Sequence, residues 1–262
     1  MKAEKKGLNS MDRIAAFSNS QAAYLHYTRM PWGRLFYETA WHQIDEVMND
    51  TGGTLLDAGC GFGISSNEYS RRGHRVTGLE PTADLLEHAA AGGQSVRYIN
   101  ASLEAAAEEL ETYDWIFSHN ILEYVDDPAA FIRLIGSCQE AGGYLSLIAH
   151  NPAAKVLKRA VVLKQPAEAL AGMDSGKEYS GIIGTDITVY SCDRLTEWLR
   201  EAGYEVTGHY GIHNVYGYIT DNELKQDEAW HEQMKDLEFG LGSRSPYREI
   251  AVFSHLIARK ME

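Results

Sequence analysis

No stretch of about 18 consecutive apolar residues occurs in the sequence, so a membrane-spanning helix is not expected. Near the N-terminus, Lys2, Lys5 and Lys6 are not followed by an apolar core of signal-peptide length, and the expected location is the cytoplasm. Cysteine is scarce. The three present, Cys60, Cys138 and Cys192, are odd in number, far apart and without metal-ligand spacing, so a reduced protein with no metal site is expected. Cationic side chains are also short in supply, with 24 Lys and Arg against 37 Asp and Glu and a net charge of −13. That balance disfavours a broad electrostatic footprint for nucleic acid and leaves only a local basic patch open. Internal repeats and long low-complexity stretches are lacking as well.

What remains is an ordinary globular composition, 44% hydrophobic and 23% charged over 262 residues, enough to bury a sizeable core. The most informative stretch is 54–63, Thr-Leu-Leu-Asp-Ala-Gly-Cys-Gly-Phe-Gly. An apolar run ending in Asp57 and breaking into Gly59, Gly61 and Gly63 reads as a buried parallel strand turning tightly into a helix. Glycine suits such a turn because it accepts positive φ and lets a ligand lie against bare main chain. A dinucleotide fingerprint would need glycine at 64, and that residue is Ile64. An acid two residues before the first glycine suits a cofactor carrying an ammonium and a sulfonium better than a pyrophosphate.

Around this turn the pattern alternates. Residues 1–10 are short, polar and lysine-rich and read as a disordered tail. Two helices are expected over 11–49, with Ile14, Phe17, Leu35, Phe36, Trp41 and Ile44 at helical spacing and a break at Pro31 and Gly33. Strands follow at 74–79, 96–101, 113–118 and 144–149, separated by helices over 62–72, 82–91, 102–110 and 129–138. Glu80 ends the second strand 21 residues after Gly59, where nucleotide-binding α/β sheets place an acid on ribose hydroxyls. Five strands alternating with helices imply a parallel sheet with right-handed crossovers, and ligands then bind outside the carboxyl ends of the strands. The alternation stops at 152–188, read as a helical cap inserted over the pocket. Lys155, Lys158, Arg159 and Lys164 make it the best local basic patch. A helix to Ala202, a strand over 204–210, a charged helix over 221–239 and a last strand over 249–258 complete the pattern.

The Asp-x-Gly-x-Gly-x-Gly turn resembles the first motif of the class I S-adenosylmethionine-dependent methyltransferases. Glu80, His-Asn-Ile-Leu-Glu-Tyr-Val-Asp-Asp-Pro at 119–128 and Gly-Gly-Tyr-Leu-Ser-Leu-Ile-Ala-His-Asn at 142–151 stand in that family's order and spacing. Within the class the chain is most similar to the bacterial enzymes that esterify 5-carboxymethoxyuridine at the tRNA wobble position. That closer likeness lies in Leu-Ser-Leu with Asn151, in Trp-Leu-x-Glu-Ala-Gly at 198–203, and in Ser-Pro-Tyr at 245–247 with Ala-Arg-Lys at 258–260. His213 and Val252 stand where that group would be expected to carry arginines.

The resemblance implies a Rossmann-like α/β fold with a seven-stranded, mostly parallel sheet whose one antiparallel strand returns by a hairpin. It implies S-adenosyl-L-methionine held by Asp57, Gly59, Cys60, Gly61 and Glu80, with Ala101 and Ser102 beside the adenine and His119 at the methionine end. Arg34 or Arg29, from the N-terminal helices, is placed to meet the methionine carboxylate. His119 and His150 are the candidates for a general base, a role only a hydroxyl or phenol acceptor would require. The expected reaction is methyl transfer to an O or N atom of a small-molecule acceptor, with tRNA as the alternative. A cofactor-binding module without turnover and a nicotinamide oxidoreductase are the readings from other classes.

Overall fold

The computed structural model describes residues 20–48, 52–180 and 184–262. The tail at 1–10 and the apolar positions Ile14 and Phe17 lie outside the described residues. Among the described residues two helices, α1 (Gln21–Arg29) and α2 (Pro31–Asp45), precede the first strand. They are separated at Met30, whose extended backbone is what a following proline favours, while Pro31 starts α2 at the position where its missing N–H costs nothing.

The sheet contains β1 (Thr54–Ala58), β2 (Arg75–Leu79), β3 (Arg97–Ile99), β4 (Trp115–His119), β5 (Tyr144–His150), β8 (Tyr204–Ile212) and β9 (Phe253–Lys260). Their order across the sheet is β3-β2-β1-β4-β5-β9-β8. β1 pairs in parallel with β2 and β4, and β9 is antiparallel to both neighbours, as the hairpin-like return suggested. The order reverses between β1 and β4, which opens a crevice at their carboxyl ends.

Alternation sends residues to opposite faces of the sheet. Leu56, Ile116 and Leu145 pack under α6 (Pro128–Ser137) and α9 (Cys192–Glu201) through Ile132, Ile135 and Leu199. Leu55 and Phe117 face the other way, onto Ile44 of α2 and Tyr69 of α3 (Ile64–Arg71). Caps fix where the helices start. Asp127 accepts from the Ala130 N–H at 2.9 Å ahead of Pro128, and Asn151 accepts from the Ala153 N–H at 3.0 Å ahead of Pro152. On the crevice side, α4 (Ala83–Ala90) follows β2 and the short α5 (Leu103–Ala106) follows β3.

The insertion after β5 is only partly helical, which corrects the expected helical cap. It contains α7 (Pro152–Leu157), a wide turn at Lys158–Val162, α8 (Pro166–Ala171), and a hairpin of β6 (Lys177–Ser180) with β7 (Thr185–Thr188). Burial along β6 alternates, with Glu178 and Ser180 inward and Lys177 and Tyr179 outward, the period of a strand. The basic patch is also smaller than its sequence. Lys155 is buried and donates to the Ser175 carbonyl, and Lys158 lies 3.7 Å from Glu178. Lys164 is exposed. Finally, α10 (Glu228–Leu241), capped by Asp227, packs on α2 and carries the buried Glu238.

Among the described residues no helix is long and apolar enough to cross a membrane, and no cluster of three His, Cys, Asp or Glu is placed to hold a metal ion.

Candidate active site

The three glycines of the turn all have positive φ, 73° at Gly59, 54° at Gly61 and 66° at Gly63. A Cβ on Gly59 would sit 2.2 Å from Ile121 Cδ1, so both conformation and space demand glycine there. The turn is tied down by the Cys60 N–H on the Leu79 carbonyl at 2.8 Å and by the Gly63 N–H on the Cys60 carbonyl at 2.8 Å. Glu80 closes it from the next strand. Its two oxygens accept from the Gly61 N–H at 3.1 Å and the Thr82 N–H at 2.9 Å.

Beyond the turn lies a cavity of about 940 Å³, at the large end of the range for small-molecule sites. Gly59, Gly61, Glu80, Ala101, Ser102, His119 and His150 all line it, so the fold brings together candidates taken from the ends of β1, β2, β3, β4 and β5. Asp57 and Cys60 stand behind the turn instead. The Asp57 carboxylate accepts from Ser66 Oγ at 2.6 Å and is 4% exposed. The Cys60 sulfur is directed at Gly78 of β2. Ser102 also spends its Oγ capping α5, accepting from the Ala105 N–H at 3.3 Å.

The arginines suggested from the N-terminal helices are not at the cavity. Arg34 pairs on the surface with Glu228 at 3.6 Å, and Arg29 is exposed. Those helices contribute Tyr24, Tyr27, Phe36 and Tyr37 to the lining instead, with the Tyr24 and Tyr37 hydroxyls 3.2 Å apart. Tyr24 and Tyr27 share a helix face by their spacing of three, a signal present in the sequence. His213 and Val252 are buried, and His213 Nε2 has no hydrogen-bond partner among the described residues.

Burial dominates the electrostatics. It pushes the Asp57 carboxyl up to about 6 against the lowering effect of the Ser66 hydrogen bond, with a smaller push from the Glu80 charge. Glu80 is raised too, again by burial, against hydrogen bonds from Thr82 and Gly61 that favour its charged form. His119 is driven down to about 3 by burial and stays neutral at physiological pH. Its ring stacks on Phe117 with centroids 5.1 Å apart. Behind the lining, the buried Glu123 accepts from the His150 main-chain N–H at 2.7 Å, and His150 Nδ1 lies 3.7 Å from Glu178 of β6. Glu123 was visible in sequence only as an acid inside an otherwise apolar run.

A raised acid carries a definite stability consequence. Between the unfolded value near 4 and the folded value near 6, the native state holds a proton at Asp57 that the unfolded chain has released, so this site loses stability as pH rises through that window. Asp57→Asn retains an acceptor for Ser66 and removes the buried charge. Its stability relative to wild type is expected to climb from pH 4 to pH 6.5 and then level off, at about 3 kcal/mol or less. A constant difference across that range, followed by thermal unfolding, contradicts the assignment.

The chain matches a family model described as a methyltransferase domain over residues 25–209, more than half its length. It is 28% identical over 240 residues to a tRNA 5-carboxymethoxyuridine methyltransferase of Escherichia coli K12, covering 87% of this chain and 89% of the relative. A ubiquinone biosynthesis O-methyltransferase of Pseudomonas fluorescens is 38% identical over 118 residues, 42% of this chain and 51% of that one. Among solved structures, an S-adenosylmethionine-dependent methyltransferase of Thermotoga maritima shares the fold, with a TM-score of 0.64 at 15% identity over 95% of this chain and 99% of that one. So does a Burkholderia thailandensis N-methyltransferase crystallised with S-adenosylhomocysteine, with a TM-score of 0.59 at 13% identity over 99% of this chain and 94% of that one.

The residues present fit that cofactor. A bare main-chain turn with an acid held at its edge suits an adenosyl group. The chain belongs to the methyltransferase-domain family and is an S-adenosylmethionine-dependent methyltransferase.

Proposed function

We propose that this enzyme methylates an O or N atom of a small, neutral or cationic acceptor held in the cavity under the cap. One observation carries the reading: the lining includes Glu80, Glu104, Asp126 and Asp127 and has no lysine or arginine among the described residues. Such a surface repels the phosphates of a nucleic acid and offers an acceptor carboxylate no Lys or Arg side chain to pair with. Tyrosines 24, 27 and 37 with Phe36 and Phe253 add flat apolar area for a compact, partly aromatic molecule.

In this reading Gly59 and Gly61 receive the cofactor on their main chain, Glu80 accepts from its ribose hydroxyls, and Ala101 and Ser102 border its adenine. Bound S-adenosylmethionine supplies an electrophilic methyl group at a sulfonium. The protein's task is to align the acceptor in line with that group and to exclude water, which the cap and the N-terminal helices accomplish by roofing the cavity. His119, neutral and anchored, receives a hydrogen bond and orients its donor. Its low basicity makes it a poor destination for a full proton.

The test is methyl transfer from radiolabelled S-adenosylmethionine into a cell extract divided into an ultrafiltered metabolite fraction and total tRNA. Label in the metabolite fraction alone is the expected result. The second reading is a tRNA wobble-uridine carboxyl methyltransferase, favoured by the Escherichia coli tRNA 5-carboxymethoxyuridine methyltransferase, which aligns along 87% of this chain. Label in the tRNA fraction, together with binding to bulk tRNA that weakens steeply with salt as phosphates release counterions, establishes the second reading and defeats the first.

A further inference from the structure

Beneath the cavity runs a line of hydrogen-bonded side chains that ends at His119. It begins on α2, where Gln43 Nε2 donates to the Gly211 carbonyl at 2.9 Å. Gln43 Oε1 is 2.7 Å from His255 Nδ1, His255 Nε2 is 2.8 Å from Ser146 Oγ, and Ser146 Oγ is 2.8 Å from His119 Nε2. Gln43, Ser146 and His255 are 2%, 0% and 0% exposed, so these groups are held away from bulk water.

A carbonyl oxygen only accepts, so it fixes the Gln43 amide and, where His255 is neutral, every proton along the line. Gly211 requires the Gln43 NH₂ to face it, which turns the Gln43 oxygen toward His255 and requires a proton on His255 Nδ1. His255 has no carboxylate among its hydrogen-bond partners, and burial holds it well below its ordinary pKa, so it is neutral and its Nε2 is an acceptor. The single Ser146 hydroxyl proton therefore goes to His255, and the Ser146 oxygen is left to accept from His119. The alternative, a cationic His255 donating at both nitrogens, reverses the Ser146 hydroxyl but buries an uncompensated charge.

We propose that Gln43, His255 and Ser146 are positioning residues that lock His119 as its Nε2–H tautomer and present its Nδ1 lone pair to the cavity. His119 thereby selects for a hydrogen-bond donor. That donor is the α-ammonium of the cofactor or a hydroxyl or amine of the acceptor, and an anionic acceptor group gains nothing from it. Only this consequence for ligands rests on the methyl-transfer reading of the cavity; the tautomer itself belongs to the protein without ligand.

Long-range proton–nitrogen NMR correlations distinguish the two imidazole tautomers, and His119→Asn identifies the signal among the ten histidines. The wild type is expected to show His119 with a protonated Nε2 and a bare Nδ1. Ser146→Ala, which removes one oxygen from a buried site, should abolish that single-tautomer pattern. Gln43→Met, three links away, should do the same, a change that loss of packing at His119 itself does not explain. Affinity then assigns the donor. Ser146→Ala weakening S-adenosylhomocysteine by roughly five- to tenfold while leaving 5′-methylthioadenosine unchanged identifies the ammonium, and equal affinities with an altered tautomer identify the acceptor. Protonated Nδ1 on His119 in the wild type, or an unchanged His119 pattern in both variants, overturns the proposal and leaves the transferase reading untouched.

Discussion

Glu80→Ala is expected to weaken S-adenosylhomocysteine binding by on the order of a hundredfold or more while the protein stays folded. In the structure both carboxylate oxygens accept main-chain N–H groups, from Gly61 and from Thr82, and each oxygen has a second lone pair left for a ribose hydroxyl. Two hydroxyl–carboxylate hydrogen bonds in a water-poor site contribute about 3 kcal/mol together, which is the stated factor in Kd. The change has two further consequences. The Gly61 N–H loses the partner that shapes the turn, and Asp57 loses the neighbour whose charge helps to raise its pKa. Calorimetric titration measures the first effect. A shift of the Asp57-dependent stability window toward lower pH reports the second. Near wild-type affinity in Glu80→Ala would mean that the nucleoside does not lie along this edge.

A comparably large effect on stability is expected from Glu238→Ala, far from the cavity. Glu238 is fully buried on α10 and gathers four donors from the turn after β8: the Asn214 N–H at 2.6 Å, Asn214 Nδ2 at 2.9 Å, the Val215 N–H at 2.8 Å and the Tyr216 N–H at 2.8 Å. That turn needs such a clamp because His213 takes a positive φ of 60°, a conformation that costs a residue with a Cβ. Removing the carboxylate orphans three main-chain N–H groups at once, those of Asn214 and Tyr216 buried and that of Val215 half-buried. A loss of about 4 kcal/mol follows, equivalent to a fall of roughly 10 °C in melting temperature for a chain of this size. Glu238→Gln, which keeps one acceptor oxygen, should lose about half as much. Equal melting temperatures for wild type and Glu238→Ala in differential scanning calorimetry would contradict the clamp.

The parts of this molecule that were legible in its sequence are those whose cause is local. Thr54 to Gly63 could be read because a buried strand is a run of apolar residues and a main-chain ligand turn demands glycine. Glu80 could be read because strand, helix and strand lengths fix where the next carboxyl end falls. The antiparallel β9 followed from connectivity. Arg34 was chosen for its charge and its helix, but its surface partner is Glu228, 194 residues further along, and no local pattern announces that pairing. The β6–β7 hairpin was obscured by the glycines of the segment, which read as spacing in a loop, whereas Gly184, at a φ of 68°, stands directly before β7. The line beneath the cavity was out of reach altogether, since Gln43 and His255 meet only after the whole sheet has closed between them. Long-range polar contacts of this kind are set by tertiary packing and leave no periodicity behind.

The central claim, that the space above the glycine turn is the methyl-transfer site, is tested most directly by a crystal structure of the protein with S-adenosylhomocysteine. The expected complex has the nucleoside on the main chain of Gly59 and Gly61, ribose hydroxyls on Glu80, adenine beside Ala101 and Ser102, and the sulfur directed toward the His119 side of the cavity. Ligand density elsewhere on the molecule, or in this cavity with the ribose away from Glu80, would contradict it.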